Sequence, residues 1–159
     1  MILVVLGTHE LPFYRLVREV DRLKRDGFIK EEVIVQNGHT KFTSDVLTFK
    51  KFVTYEEMEQ LYDQARIVIT HAGTGSVITG LRKGKAVIAA PRLQKYGEHN
   101  DDHQLQLVDA FVSQGHILAW NDGDSLEPVI IQAEKFTPKP FRSGRERMQQ
   151  ILTDFIDHA

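Results

Sequence analysis

Three stretches of this chain are apolar without alternation: Ile2-Leu3-Val4-Val5-Leu6, Ile67-Val68-Ile69 and Ala86-Val87-Ile88-Ala89-Ala90. A strand with one wet face alternates apolar and polar side chains, so runs of this kind must be covered on both faces, as central strands of a parallel sheet are. Further strands are predicted near 32–36, 46–50 and 117–120. Between them lie segments of helical period. Residues 11–25 repeat Leu11, Phe13, Leu16, Val17, Val20 and Leu23, and 55–64 carries Met58, Leu61 and Tyr62 behind a capping Thr54. Helices are also expected over 74–83, 101–113 and 125–135. Strands alternating with helices imply a doubly wound α/β fold with a mostly parallel sheet.

A chain of 159 residues suits one domain with a single sheet, and 42% hydrophobic with 26% charged residues is the composition of a folded globular protein. Twenty basic against 22 acidic side chains give a formal charge of -2, which supplies no general field for nucleic acid. The absence of cysteine excludes disulfides, thiolate metal sites and cysteine nucleophiles, and fits a reducing compartment such as the cytoplasm. No apolar run approaches the roughly 18 residues of a membrane span, and the opening lacks the basic leader of a signal peptide.

In open α/β sheets ligands bind beyond the carboxyl ends of the strands, which directs attention to the loops there. The first is Thr70-His71-Ala72-Gly73-Thr74-Gly75-Ser76, running from a strand straight into a helix. Its glycines allow close backbone approach, its hydroxyls donate, and free N–H groups at a helix start favour an anion. The turn lacks the spacing and lysine of a P-loop, and a purely packing role for the glycines is the alternative. The second loop, Pro91 to Gln104, holds Glu98, His99, Asn100, Asp101, Asp102, His103 and Gln104, a density of hydrogen-bonding groups suited to sugar hydroxyls. Two rivals are a metal held by His99 and His103 with Asp102, and a solvated helix start capped by Asp101 or Asp102. The third is Gly7-Thr8-His9-Glu10, where Thr8 faces the same crevice and His9 and Glu10 either contribute to it or begin the next helix. Asp122-Gly123-Asp124 reads as a turn before a helix. No Gly-x-Ser-x-Gly nucleophile elbow is present.

These loops together carry a resemblance. His71-Ala72-Gly73-Thr74-Gly75-Ser76, the strand exit Gly84-Lys85-Ala86-Val87-Ile88-Ala89-Ala90-Pro91-Arg92, and Glu98-His99-Asn100-Asp101-Asp102-His103-Gln104 resemble the donor-binding half of family 28 glycosyltransferases. The opening Val5-Leu6-Gly7-Thr8-His9-Glu10-Leu11-Pro12-Phe13 resembles capsule and exopolysaccharide subunits of the PssE type. These are similar to the soluble catalytic subunit of the split UDP-N-acetylglucosamine transferase of lipid-linked oligosaccharide synthesis.

The resemblance implies a Rossmann-like fold equivalent to the C-terminal half of a GT-B enzyme, with 1–159 a single donor-binding domain. It further implies metal-independent, inverting transfer of a hexose or N-acetylhexosamine from a UDP-sugar to a lipid-linked acceptor, without a cofactor. Gly73, Thr74, Gly75 and Ser76, with Thr8, would hold the diphosphate. Glu98 would meet the ribose, and Asp102, His103 and Gln104 the transferred sugar. Uracil would lie against the main chain near Phe52 and Val53. His9 is the candidate general base if the partner does not supply one, and His71 beside the phosphates has a structural or electrostatic role. The missing half would be a membrane-attached, acceptor-binding subunit, which would hold this chain at the inner face of the membrane. A helix expected over 143–157, striped with Met148, Ile151, Leu152, Phe155 and Ile156, would pack on its own domain, dock on that partner through segment 141–159, or pair with itself in a homo-oligomer. An accessory subunit that stabilises a complete transferase is the rival function.

Overall fold

The computed structural model describes residues 1–140, so the helix expected over 143–157 lies outside the described residues. Among the described residues, β1 (Ile2–Val5), β2 (Val33–Gln36), β3 (Thr48–Lys50), β4 (Ile67–His71), β5 (Ala86–Ala90) and β6 (Leu118–Ala119) form one sheet in the order β3-β2-β1-β4-β5-β6. Every neighbouring pair is parallel. The connecting helices are α1 (Tyr14–Arg25), α2 (Tyr55–Gln64), α3 (Thr74–Arg82), α4 (His103–Ser113) and α5 (Glu127–Lys135). This is the doubly wound, Rossmann-like arrangement.

The unbroken apolar strands are explained by two cores. Alternate residues of β1 point to opposite faces, so Ile2 and Val4 join a core with Leu16, Val17, Val20 and Leu23 of α1 and Ile130 and Ala133 of α5. Leu3 and Val5 join the other, with Leu61 and Tyr62 of α2, Val77 and Leu81 of α3, and Leu107, Val108 and Phe111 of α4. A strand with polar alternation would place its polar groups in one of these cores, where an unpaired group costs about 1–3 kcal/mol.

The element boundaries differ from the periodicity where side chains compete for the backbone. α1 begins at Tyr14, not at residue 11, because Pro12 keeps Leu11 out of the helical region and the Phe13 N–H donates to Thr40 Oγ1 at 2.9 Å. α4 begins at His103 because Asp101 accepts the His103 N–H (3.0 Å) while Asp102 accepts the Gln94 N–H (2.9 Å). β3 shrinks to the three residues opposite Ile34, Val35 and Gln36. The Thr54 cap is as expected, its hydroxyl accepting the Glu57 N–H at 3.1 Å.

Candidate functional site

β1 and β4 are the central neighbours at which the strand order reverses, and the loops leaving them diverge to opposite faces of the sheet. A crevice of about 440 Å³ opens there. Gly7, Thr8 and His9 line it from the loop after β1, and Gly73, Gly75 and Ser76 from the start of α3. Gln36 at the end of β2, Phe52 and Val53 after β3, Met58 of α2, His71 at the end of β4 and Gln104 of α4 complete the wall with Val5. None of these side chains is a lysine, arginine or carboxylate. The crevice offers neutral donors and acceptors against apolar walls.

The loop after β1 is pinned by Gln36, which is 2% exposed. Its Oε1 accepts the Gly7 N–H at 3.0 Å, and its Nε2 donates to the carbonyls of Gly7 (3.1 Å) and Lys51 (2.8 Å). Gly7 has φ +83°, and Gly38 approaches it so closely that a Cβ on Gly38 would lie 2.4 Å from the Gly7 oxygen. Two glycines are required here, one for the left-handed turn and one for contact.

His71 occupies the floor. A Cβ on Gly73 would lie 2.3 Å from its Cε1, and one on Gly7 would lie 2.5 Å from its Nε2. Gly73 therefore makes room for the imidazole, whereas Gly75 faces open space and leaves its backbone accessible. Nδ1 of His71 stands 3.3 Å from Gln104 Nε2, and Nε2 stands 3.3 Å from Ser76 Oγ. Burial, reinforced by the charges of Arg92, His9 and His99, pushes the His71 pKa down to about 3, so the ring is neutral at physiological pH.

Gly73 caps α3 with extended backbone, and among the described residues no side chain makes a capping hydrogen bond there. The chain thus presents the positive end of a helix, with Ser76 on its first turn, to the crevice. His9 Nδ1 accepts the Leu11 N–H at 3.0 Å. Burial first, then the charges of His99 and Arg92, lower its pKa, so the neutral ring carries its proton on Nε2 and acts as a donor.

Gly73, Gly75, Ser76, Thr8, His9, Gln104, Phe52 and Val53 are thus brought together, and Thr74 occupies the first helical position beside them. Three expected sugar contacts are directed elsewhere. Glu98 is 3% exposed and forms a two-point ion pair with Arg15, at 3.1 Å from both Nε and Nη2, while accepting the Leu93 N–H at 3.0 Å. It lines a separate depression with Arg15, Tyr96 and Trp120. Asp102 caps the Gln94 turn, and His103 is exposed with its Nδ1 3.6 Å from Asp101. His99 Nδ1 also lies against Asp101, at 3.2 Å. No group of three or more metal-ligating side chains is assembled among the described residues. Gln36 and Met58 join the crevice without having been expected there from the sequence. A glutamine ending an otherwise apolar strand at Val33-Ile34-Val35-Gln36 was the available signal.

The family model of the glycosyltransferase family 28 C-terminal domain matches residues 1–158. A relative from Yarrowia lipolytica, named UDP-N-acetylglucosamine transferase subunit ALG13, is 28% identical over 167 residues, covering 97% of this chain and 78% of its own length. Further relatives of the same name match 59% to 65% of this chain, which spans about half of their length. The solution structure of ALG13 superposes with a TM-score of 0.60 at 22% identity, covering 94% of each chain. The calicheamicin glycosyltransferase CalG4 superposes with a TM-score of 0.61 at 15% identity, over 98% of this chain and 38% of that one. No helix among the described residues is long and apolar enough to cross a membrane.

Proposed function

Because this chain belongs to the glycosyltransferase family 28 C-terminal domain family, we propose that it is the donor-binding catalytic subunit of a two-component inverting transferase. In this reading it moves a hexose or N-acetylhexosamine from a UDP-sugar to a lipid-linked acceptor in polysaccharide biosynthesis, as a subunit of the PssE type. The observation that carries it is the uncapped start of α3, with Ser76, at the switch point of the sheet. Attack by the acceptor hydroxyl on the anomeric carbon expels UDP. The N–H groups of Thr74, Gly75 and Ser76, with the Ser76 and Thr8 hydroxyls, then stabilise the charge developing on the diphosphate without a metal. Phe52 and Val53 offer uracil an apolar wall and main-chain groups. Gln104 reaches the sugar with the N–H that His71 does not use. Glu98 reaches the ribose only if its pairing with Arg15 opens.

His9 enters this site as a donor, so the group that accepts the acceptor's proton belongs to a separate acceptor-binding subunit. The word subunit in the names of the relatives supports such a partner, and a membrane-attached one would bring this chain to the inner face of the membrane.

Calorimetry of the purified chain with UDP in EDTA tests the reading. Saturable binding is expected, about tenfold weaker in Ser76→Ala through loss of one hydrogen bond to a charged ligand. Because no lysine, arginine or carboxylate among the described residues lines the crevice, raising NaCl from about 50 to 500 mM is expected to change the affinity less than about threefold. Absence of binding at millimolar UDP would overturn the proposal. If binding survives but the Ser76→Ala chain transfers sugar normally with its partner, the accessory role replaces catalysis.

A further inference from the structure

Gln104 is held in one orientation by chemistry. Its Oε1 accepts two main-chain N–H groups, Ala72 at 3.2 Å and Arg92 at 2.9 Å, one from the loop after β4 and one from the loop after β5. A flipped amide would set an NH2 against two N–H donors. The atom facing His71 Nδ1 at 3.3 Å is therefore the amide nitrogen, which can only donate. An Nδ1 that accepts leaves the neutral imidazole with its proton on Nε2. That N–H lies 3.3 Å from Ser76 Oγ.

The direction of the Ser76 hydroxyl follows. An oxygen that accepts from His71 keeps its own proton for another partner, and Ser76 borders the crevice. The opposite tautomer would have Ser76 donate to the ring and turn lone pairs toward any ligand. For an anion, the two cases differ in sign.

Building on the reading of the crevice as a diphosphate site, we infer that His71 is a positioning residue: Gln104 sets its tautomer, and its Nε2–H aims the Ser76 O–H at the bound diphosphate. Gly7 and Gly73 confine the ring from two sides, which keeps Nε2 on Ser76. The relay carries no net charge. Among the described residues the charged and titratable groups acting on the ring are Arg92, His9 and His99, and all three favour its neutral form. The hydroxyl's direction is then constant across the physiological pH range.

Two-bond ¹H–¹⁵N spectra of the intact ligand-free chain read the tautomer directly. The His71 ring is expected to carry its proton on Nε2 unchanged between about pH 5.5 and 8. A proton on Nδ1, or titration within that interval, overturns the relay. In Gln104→Glu the second carboxylate oxygen accepts where the amide donated, so Nδ1 is expected to gain a proton. Retention of an unprotonated Nδ1 in that variant removes Gln104 from the relay and overturns the inference.

UDP affinity measured through a double-mutant cycle gives the functional half. His71→Ala and Ser76→Ala are each expected to weaken binding about tenfold, the double variant no more than either alone, and His71→Gln to restore most of the loss by supplying an N–H near the Nε2 position. Additive losses would show that His71 does not act through Ser76. Should the wild-type chain fail to bind UDP, the functional reading falls while the tautomer spectra still decide the relay.

Discussion

Replacing Arg92 by methionine is expected to lower the unfolding free energy by about 3–5 kcal/mol, although Arg92 does not line the crevice. The residue is 1% exposed, and its guanidinium donates to three main-chain oxygens, those of Leu6 (2.6 Å), Leu11 (2.8 Å) and Glu98 (3.0 Å). It also lies over the Phe13 ring, 5.0 Å from its centroid. One side chain thus ties the exit of β1, the entry to α1 and the loop after β5. Burial lowers its pKa to about 10, partly offset by Glu98, so it remains charged at neutral pH. Methionine fills part of the volume and leaves the buried carbonyls of Leu6 and Glu98 and the half-buried one of Leu11 without their donor, at about 1–3 kcal/mol for each buried group before relaxation. Urea denaturation of the two chains at pH 7 measures the difference. A loss under about 1 kcal/mol would mean that the loops rearrange and water replaces the guanidinium.

Mild acid is expected to destabilise the protein through His71. Its pKa is 6.5 in an ordinary environment and about 3 in the fold, so between these values the unfolded chain binds a proton that the native chain refuses. Stability is therefore fully present above about pH 6.5 and falls as pH drops, by up to about 1.4 kcal/mol per pH unit, or about 2 kcal/mol by pH 5. His9, whose pKa is also lowered, adds in the same direction. The carboxylates with depressed pKa, such as Glu31, contribute only at more acid pH, which leaves the interval from 7 to 5 to the histidines. Denaturation of the wild type and His71→Gln at pH 7 and 5 checks this, with the variant expected to lose about 2 kcal/mol less. Equal losses would mean that native His71 protonates near its ordinary pKa.

The architecture was legible because each strand had to be apolar on both faces. The run Ile2 to Leu6 announces a central strand, and Thr54 ahead of the Met58, Leu61 and Tyr62 period announces a helix start by local chemistry alone. The place where the loop glycines and hydroxyls gather was equally legible. Glycines and hydroxyls directly after an apolar strand belong at the carboxyl edge of a parallel sheet, and Gly73, Gly75, Ser76, Thr8 and Gln104 do meet there. Boundaries were less so. Pro12 and Thr40 shorten α1, and the hydrogen bond from Phe13 to Thr40 spans 27 residues.

The layered α/β fold, the alternation of faces and the sheet edge at which the glycine- and hydroxyl-bearing loops gather follow from the amino-acid order alone, because they depend on periodicity and on backbone rules that act over a few residues. What each polar side chain does depends on the packed fold. Glu98 turns away from the crevice because Arg15, 83 positions earlier, meets it across the loop. Gly73 is small because His71 fills the space its side chain would take. Gln104 faces His71 with its nitrogen because two main-chain N–H groups, from two different loops, claim its oxygen. Hydrogen bonds of this kind join groups distant in the chain, and their direction exists only once packing has set which donor meets which acceptor.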